Sequence, residues 1–495
     1  MIPERSVGEM DEKTAKAIVQ KRANKLIAIA QTQLRRGKVE QALNTVATCA
    51  LTLYSANQCY QSDELETLLS RAAETIPFPP ATAPIAEDRV LFYDGFGLGS
   101  RGLLTVYLQA LCSFRKVILV TRRDWVPGLK EAIALVKSCG GQIALLEGKK
   151  KTEDIRSLQE IICGSGAKHL FMYANADDVV VTTAFLGAPK DRVRYQINLT
   201  DHAFWLGSRC ADKYIEFRDY GGAISAAYRG IPKEKLVKLP FYPRLDQYKP
   251  FAGYPGAFDP EKQQLVFSGG ALYKTQSADN AYYRLVSQML RSHPDVVFWY
   301  AGSGDATQLD QLIREFPNRV WHTPERQDLF GVLEHCLFYL STYPVCGGLM
   351  FQYAAAAGKV PVTLRHDDIS DGFLLDQKNL GIEFDSIEQA LQEIRKLVEQ
   401  PDYRKEKEGA VSQAVLDPDT FTQSLQKLLK TGDTGLSLDY TLPDVEKLQN
   451  MYAKNYTQRQ LRQDLVRKGN GYLLAHFPVD YTLGLMMKLR KKRKP

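Results

Sequence analysis

Short runs of β-branched and aromatic residues alternate with helical stretches along most of this 495-residue sequence. The strand candidates of the first series are RVLFYDGF, KVILVTR, QIALLEG, HLFMYAN and YQINLTD, followed by KYIEFRDYG. Helical patterns such as GLKEAIALVKSC and IRSLQEIIC lie between them. Strands that alternate with helices in this way predict a parallel, doubly wound sheet.

A second series of the same kind follows LPFYPRLDQYKPFAGYPGAFDP, a proline-, aromatic- and glycine-rich segment that we interpret as a hinge. Its strand candidates are QLVFSGG, VVFWYAGSG, RVWHTP, FYLSTYP and VPVTLR. The predicted fold class is therefore α/β, with two doubly wound Rossmann-like domains. Ligands of such sheets bind outside the carboxyl ends of the strands, so we expect the domains to face a cleft.

The first part of the chain has helical periodicity throughout, and AQTQLRRGKVEQALNTVATCALTLY resembles one tetratricopeptide (TPR) unit. Stable arrays need about three or more repeats, so a helical cap on the next domain is the favoured interpretation. PFPPATAPIAED, Pro77–Asp88, is interpreted as a linker. The predicted segments are a helical, TPR-like part at 1–80, Rossmann-like domains at 88–250 and 262–430, and a helical extension with a basic tail at 431–495.

Composition points to a globular protein, with 44% hydrophobic and 24% charged residues. No apolar run reaches the length of about 18 residues that spans a bilayer, and MIPERSVGEMDEKTAK lacks the features of a signal peptide. We therefore expect a cytoplasmic protein. The eight cysteines form no CxxC spacing, so we interpret them as reduced and expect no metal site.

The net charge of +7 is concentrated in one place. Six positive charges come from Lys488, Arg490, Lys491, Lys492, Arg493 and Lys494. The rest of the chain is nearly neutral, which argues against nucleic-acid binding. Two interpretations of the tail YTLGLMMKLRKKRKP stay open: attachment to the anionic inner face of the cell membrane, or a disordered solubilising tail.

Glycines follow the first strand candidate in YDGFGLGSRGLL, where Gly97, Gly99 and Gly102 satisfy a loose GxGxxG pattern. A dinucleotide site would also carry an acidic residue at the end of the next strand, but KVILVTRRDW has arginines there. We interpret Gly97, Gly99 and Ser100 as a flexible loop that lines the acceptor side of the cleft.

Asp201 and His202 follow the strand candidate YQINLTD. A histidine beside an aspartate at a strand end can act as a base, or donate to a phosphate or a sugar hydroxyl. The alternative is a histidine that only satisfies a loop hydrogen bond. The predicted position at the cleft favours a functional role for this pair.

The second domain has glycine turns after its first two strand candidates. Gly269 and Gly270 in VFSGGALYKTQ precede Lys274, whose ammonium could neutralise a diphosphate; a surface lysine is the alternative. Gly302 and Gly304 in WYAGSGD would admit a base or ribose close to the backbone.

Two more segments follow in the second domain. Backbone groups from Trp321 to Thr323, including His322, could read a base edge, although packing by Trp321 accounts equally well for this segment. In STYPVCGGLMFQYAAAAGKVPVTL, Gly347 and Gly348 precede a small-residue helix that carries Gln352 one turn in.

Taken together, GGALYK, YAGSGD, VWHTPERQDLFGVLEHC and STYPVCGGLMFQYAAAAGKVPV resemble the nucleotide-binding half of GT-B glycosyltransferases, including relatives of O-linked N-acetylglucosamine transferase. The resemblance implies a nucleotide-sugar donor held mainly by the C-terminal domain and an acceptor held mainly by the N-terminal one. It implies no metal and no cofactor, because cationic groups and a helix N-terminus offset the diphosphate charge.

Site residues are carried over from the resemblance by position. Lys274 resembles the phosphate-binding lysine, His202 resembles a cleft histidine, and the N–H groups of Gly347, Gly348 and Leu349 resemble the helix end that meets the diphosphate. The predicted catalytic residues are Asp201, His202 and Lys274. The predicted donor site comprises Gly269, Gly270, Lys274, Gly302, Gly304, His322, Thr323, Gly347, Gly348, Leu349 and Gln352.

The sequence departs from the family pattern at two places. Ala271 and Leu272 lie where many retaining members carry an arginine, and Gln352 lies near the position of a ribose-binding glutamate. A glutamine can still hydrogen-bond to ribose, without charge assistance. Whether the reaction retains or inverts stereochemistry is left open. If it inverts, Asp201, His202 or Asp94 could be the base.

Two functions are carried forward. The first is transfer of a sugar, from a UDP-sugar by preference, to a glycan, a lipid-linked glycan or a protein in bacterial cell-surface polysaccharide or glycoprotein assembly. The second is a non-catalytic GT-B-like subunit that serves a glycosyltransferase partner. The altered positions and the helical N-terminal segment are compatible with this second hypothesis.

Overall fold

The computed structural model describes residues 12–97, 103–245, 249–277, 279–365, 372–375, 377–455, 458–467 and 470–492. The chain forms two compact units: unit 1 comprises Met1–Leu239 and Thr422–Pro495, and unit 2 comprises Pro240–Phe421. This division differs from the four predicted segments, because the helical parts near both ends of the chain belong to unit 1.

Unit 1 contains a parallel sheet with the strand order β3-β2-β1-β4-β5-β6-β7 in the described residues. The strands are β1 (Ala86–Asp94), β2 (Lys116–Arg122), β3 (Gln142–Leu146), β4 (Ala167–Tyr173), β5 (Val193–Asn198), β6 (Lys213–Glu216) and β7 (Leu236–Lys238). Val90 to Tyr93 are consecutively buried in β1. Burial of successive residues, which point to opposite faces, shows that both faces of the sheet are covered.

Helices α1 to α3 share one hydrophobic core with this sheet, since Leu26, Leu43 and Leu69 pack in the same cluster as Leu91 and Leu170. They are α1 (Glu12–Arg35), α2 (Val39–Ala56) and α3 (Asp63–Thr75). The other helices of unit 1 are α4 (Leu104–Cys112), α5 (Lys130–Ser138), α6 (Lys151–Ser165), α7 (Val179–Leu186), α8 (Asp219–Tyr228), α17 (Val445–Asn455), α18 (Gln458–Arg467) and α19 (Pro478–Lys492).

A carboxylate from α2 occupies the N-terminus of α6. Glu40 accepts hydrogen bonds from the Lys151 and Thr152 backbone N–H groups at 3.2 and 2.9 Å and from the Thr152 hydroxyl at 2.9 Å. Partial burial on its own would raise the pKa of Glu40, but these hydrogen bonds outweigh it and lower the pKa below the usual 4.5. The interaction therefore stabilises the ionised form and joins α2 to α6.

We expect Glu40→Gln to lower the free energy of unfolding by about 1 kcal/mol, because an anion at a helix N-terminus contributes on that scale at a half-exposed site. Since the folded-state pKa is lowered, the contribution is present above pH 4.5 and is lost as the pH falls through the folded pKa. Denaturant titrations at several pH values would measure it. Glu160→Gln, an exposed change on α6 itself, is the matched control; equal losses from the two variants would contradict the assignment.

Unit 2 contains a second parallel sheet, with the order β10-β9-β8-β11-β12-β13 among the described residues. Its strands are β8 (Gln264–Gly269), β9 (Val296–Ala301), β10 (Val320–Thr323), β11 (Phe338–Leu340), β12 (Pro361–Leu364) and β13 (Glu383–Phe384). Val296 to Tyr300 are fully buried. The core of unit 2 thus lies on both faces of its central strands.

The helices of unit 2 follow its strands in alternation. They are α9 (Ala281–Ser292), α10 (Thr307–Glu315), α11 (Leu329–Glu334), α12 (Gly348–Ala356), α13 (Gln377–Leu380), α14 (Ile387–Glu399) and α15 (Pro401–Gln413), and the boundary at Phe421 falls within α16 (Pro418–Thr431). In α14, Ile387, Ala390, Ile394 and Leu397 are buried at helical spacing, and the Ser386 hydroxyl caps the first turn.

The strand candidates are confirmed in both series, from β1 to β6 and from β8 to β12. Two details differ from the prediction. β1 begins at Ala86, inside the predicted linker, and the edge strands β7 and β13 were not predicted. These edge strands span three and two residues, too few to show a periodicity. No helix in the described part of the chain is long and apolar enough to span a membrane.

Candidate functional site

The strand order of unit 2 creates a switch point between two adjacent strands. From β8 the chain continues to β9 and β10 on one side, whereas β11 continues to β12 and β13 on the other. The loops after β8 and β11 therefore diverge and leave a crevice at the carboxyl ends of these strands. Lys274 follows β8 and Gly347 follows β11, so both predicted residues lie beyond the carboxyl ends of these two strands.

Lys274 lies in a short 3-10 turn, Leu272–Thr275, and is half-buried. Its carbonyl accepts a hydrogen bond from the Val345 N–H at 3.2 Å, which ties this turn to the loop after β11. A Cβ built on Gly347 would lie 3.9 Å from Lys274 Nζ. Within the described ranges the ammonium has neither a hydrogen bond nor an ion pair. A cation without a counter-ion favours the binding of an anion.

Helix α12 begins beside this ammonium. Gly347 is its N-cap residue, no side chain among the described residues caps the first turn, and that turn contains no acidic residue. A Cβ on Gly348 would lie 2.3 Å from the Phe373 ring, so the position requires glycine. The free N–H groups of the first turn and Lys274 thus present positive charge at one place, as an anion site requires.

The glycine turns after β8 and β9 pack directly on each other. A Cβ on Gly302 would lie only 1.8 Å from the Gly270 carbonyl oxygen, and a Cβ on Gly304 would lie 3.0 Å from Leu272 Cβ. Gly270 and Gly304 both have φ of +141°, which disfavours other residues. The Tyr300 hydroxyl donates to the Gly270 carbonyl at 3.0 Å. These glycines therefore fix the turn that carries Lys274.

His322 and Thr323, at the end of β10, support the same turns. A ring nitrogen of His322, Nε2, lies 2.9 Å from the Gly302 carbonyl oxygen. The Thr323 hydroxyl accepts from Trp299 Nε1 at 2.9 Å, and its carbonyl accepts from the Gly302 N–H at 2.9 Å. His322 and Thr323 therefore stabilise the glycine turn after β9. Their contact with a donor stays a prediction.

Gln352 and Leu349 differ sharply in exposure. Leu349 is 42% exposed beside the start of α12, whereas Gln352 is 3% exposed. Gln352 Nε2 donates to the carbonyls of Phe241 and Phe373 at 3.2 Å each, and its Oε1 has no partner among the described residues. The amide nitrogen is thus used within unit 2. The predicted hydrogen bond of Gln352 with ribose would therefore use the side-chain oxygen Oε1 of Gln352.

Asp201 and His202 belong to unit 1. Arg218 donates to both carboxylate oxygens of Asp201, Nε at 2.5 Å and Nη2 at 3.0 Å, and both side chains are 1% exposed. Burial opposes ionisation of Asp201, but Arg218 and His202 outweigh it and lower the pKa to about 2. Such a carboxylate is a weak base, which leaves His202 as the better candidate for proton transfer.

His202 is held from two directions. Its Nδ1 lies 3.5 Å from Asp201 Oδ1, and its carbonyl accepts from Asn57 Nδ2 at 2.9 Å. The side chain is 23% exposed, so it can be reached from solvent. Asp201 can orient the ring, as a carboxylate orients the histidine of a hydrolytic triad.

Sequence reasoning missed the arginines and the glutamate that surround this pair. Arg229 Nη2 donates to the carbonyls of Asp201 and Ala203 at 2.8 Å each. Glu216, at the end of β6, accepts from the Ser225 hydroxyl at 2.6 Å and Asn198 Nδ2 at 2.8 Å, and burial raises its pKa to about 7. For Glu216 and Arg218 the available signal was a charged residue among the apolar residues of KYIEFRDYG; Arg229 lies outside this segment.

The predicted cleft loop is described only at its first part. Asp94 Oδ1 accepts from the backbone N–H groups of Phe96 and Gly97, and the Trp125 ring lies where a Cβ on Gly97 would be. Gly99 and Ser100 lie outside the described residues. Asp94 is buried, which raises its pKa, and its Oδ2 accepts from the Thr121 hydroxyl at 3.0 Å.

Unit 1 also has a polar cavity of about 450 Å³ at the switch point between β1 and β4. Its lining includes Tyr93, Arg122, Trp125, Asn175 and Asp178. Asp178 caps α7 and accepts from the Tyr93 hydroxyl at 2.9 Å. The cavity therefore offers fixed hydrogen-bonding groups at the ligand position typical of this topology.

Comparison with known proteins gives matches in structure but not in sequence. No model of a protein family matches the chain, and no curated protein matches it in sequence. HepE from Anabaena, solved with UDP and glucose, matches at a TM-score of 0.50 and 13% identity over 69% of this chain and 99% of HepE. A glycosyltransferase from Rickettsia africae matches at 0.51 and 11% identity over 69% of this chain and 97% of its own.

At these identities the matches establish the fold alone. Each match covers nearly the whole of the matched chain. The chain thus has the GT-B fold of two Rossmann-like units, as the sequence predicts.

Proposed function

We propose that the protein transfers a sugar from a nucleotide-sugar donor to a hydroxyl acceptor, with the donor diphosphate bound at Lys274 and the N-terminus of α12. The observation that carries the proposal is the half-buried Lys274, whose ammonium has no counter-ion in the described residues and lies beside a helix end that none of their side chains caps. The UDP bound in the HepE structure supports a UDP-sugar as the donor class.

In this reaction the bond between the anomeric carbon and the diphosphate oxygen breaks, and the acceptor oxygen bonds to that carbon. Negative charge then grows on the departing diphosphate, where Lys274 and the N–H groups of Gly348 and Leu349 would stabilise it. We assign His202 the task of orienting the donor or accepting the hydroxyl proton. Because the protein cations supply the charge, we propose that no metal or cofactor is required.

Unit 1 would bind the acceptor. The polar cavity lined by Arg122, Asn175 and Asp178 offers donors and acceptors suited to hydroxyl groups. We propose a glycan, a lipid-linked glycan or a protein as the acceptor, in the assembly of cell-surface polysaccharide or glycoprotein, in the cytoplasm.

A non-catalytic role beside a glycosyltransferase partner is the second candidate. It is favoured by the engagement of Gln352 with two backbone carbonyls and by the pairing of Asp201 with Arg218, since both reduce the groups free for substrate. Such a subunit could still bind a nucleotide at Lys274.

Thermal unfolding of the full chain with UDP, GDP, CDP and their sugar conjugates would test the proposal. We expect UDP and UDP-sugars to raise Tm; a ligand at about 100 times its Kd adds about 2.7 kcal/mol to the free energy of unfolding. Release of UDP from the UDP-sugar, with glycan and lipid-linked acceptors present, would then be measured by chromatography. Binding without release would favour the non-catalytic role, and no shift with any nucleotide would refute the donor site.

A further inference from the structure

Exposed apolar side chains concentrate in one short part of unit 1. Of the eleven exposed large hydrophobic residues found in the described ranges, five lie between positions 474 and 489. They are Leu474, Val479, Leu485, Met486 and Leu489, with exposed fractions of 45, 68, 43, 52 and 53%. A cluster of this kind on an otherwise polar surface marks an interaction site.

One face of helix α19 is already used within unit 1. Tyr481 is buried in the hydrophobic core, and a Cβ on Gly484 would lie 2.3 Å from the Arg462 carbonyl oxygen of α18. Asp480 pairs with Arg22 of α1 and with Arg462, whose Nε lies 3.1 Å from Asp480 Oδ1. These contacts fix the orientation of α19 about its axis.

The opposite face of α19 carries an apolar stripe. Val479, Met486 and Leu489 follow one another at spacings of seven and three residues, and Leu485 lies four residues before Leu489. Such spacings place the four side chains on one side of a helix. The contacts of Tyr481 and Gly484 turn this side away from the core.

Positive charge accompanies the stripe. Residues 488–494 contain six lysines and arginines, and residues 481–495 contain no aspartate or glutamate. Lys488 Nζ donates to the Val466 carbonyl at 3.1 Å, so the first of these cations is anchored at the surface of α18. The helix continues through Lys492, which joins apolar and cationic groups in one element.

We propose that α19 binds the surface of an anionic lipid bilayer, with its axis in the membrane plane and the stripe of Val479, Leu485, Met486 and Leu489 inserted among the acyl chains. An amphipathic helix with a cationic end is the kind of element that lies in this interface. A protein partner could bury the stripe but would need acidic residues around it for the cations. An anionic bilayer supplies both, acyl chains for the stripe and headgroups for the cations. The proposal does not depend on the proposed catalytic activity.

Sedimentation of the full-length protein with lipid vesicles tests this proposal. We expect binding to vesicles of equal parts phosphatidylglycerol and phosphatidylcholine, and at least about tenfold weaker partitioning into phosphatidylcholine alone. The variant Leu485→Ser/Met486→Ser/Leu489→Ser should lose about tenfold or more of the binding to anionic vesicles, because it removes most of the inserted apolar area. Lys491→Gln/Lys492→Gln/Lys494→Gln should also bind less tightly.

The matched control is Ile85→Ser/Tyr228→Ser/Leu442→Ser, which removes three exposed apolar side chains elsewhere in unit 1. It should bind vesicles like the wild type. Both serine variants should keep the wild-type Tm because their altered side chains are exposed. Undiminished binding by the Leu485/Met486/Leu489 variant would overturn the proposal. So would sedimentation without lipid, or a concentration-dependent dimer that the same variant disperses, since these would show pairing between copies.

Discussion

Replacing Lys274 by methionine is expected to raise the Kd for UDP by roughly 30- to 150-fold. Methionine keeps most of the side-chain length and removes the charge. A charge-assisted hydrogen bond contributes about 1.5–3 kcal/mol, and the upper part of this range applies where the cation has no other partner. Lys274 meets this condition in the described part of the chain. Isothermal titration calorimetry at fixed ionic strength would measure the change.

Comparing UDP with uridine separates an effect on phosphate binding from an effect on binding of the base or ribose. Because the ammonium acts on phosphate oxygens, uridine affinity should be unchanged by Lys274→Met while UDP affinity falls. Lys359→Met is the matched control: Lys359 is also half-buried in unit 2 but follows the opposite end of α12. We expect the control to bind UDP like the wild type. Equal UDP affinities of Lys274→Met and the wild type would reject the diphosphate assignment.

The sheet architecture could be predicted because both sheets are parallel and covered on both faces. Strands such as β1 and β9 then appear in the sequence as continuous apolar runs, VLFY and VVFWY, separated by helical periodicity. The grouping of distant segments was not accessible, because nothing local indicates that α1 and α18 belong to the same unit.

For the candidate site, the sequence can indicate which residues follow a strand, but it cannot indicate their hydrogen-bond partners. Lys274 and Gly347 each follow a strand, so their proximity follows from topology alone. The roles of Asp201 and Gln352 depend on partners elsewhere in the sequence: Arg218 donates to the Asp201 carboxylate, and Gln352 donates to the Phe241 carbonyl. Periodicity and spacing carry no information on such partners. The close packing of Gly302 on the Gly270 carbonyl likewise depends on the pairing of two separate turns, which spacing does not show.

Replacing Arg218 by methionine is expected to produce the largest loss of stability, about 3–5 kcal/mol, because it leaves the Asp201 carboxylate buried without its main counter-ion. Both side chains are 1% exposed, and Arg218 donates to both Asp201 oxygens. The folded-state pKa of Asp201 is about 2, so the pair's contribution is complete above pH 3.8 and is lost as the pH falls toward 2. Urea unfolding near neutral pH would therefore detect the full effect.

Hydrogen exchange measured peptide by peptide would show where the loss occurs. Peptides of β5, β6 and α8 should exchange faster in Arg218→Met, whereas peptides of unit 2 should be unchanged. Arg123→Met is the control, because Arg123 pairs with Glu147 in the same unit but is 61% exposed; we expect it to cost less than about 1 kcal/mol.

Adding Asp201→Leu to Arg218→Met removes the orphaned charge, so the double variant should lose less stability than the sum of the single losses. If the losses simply add, the two side chains act independently and Asp201 would not depend on Arg218 to orient His202.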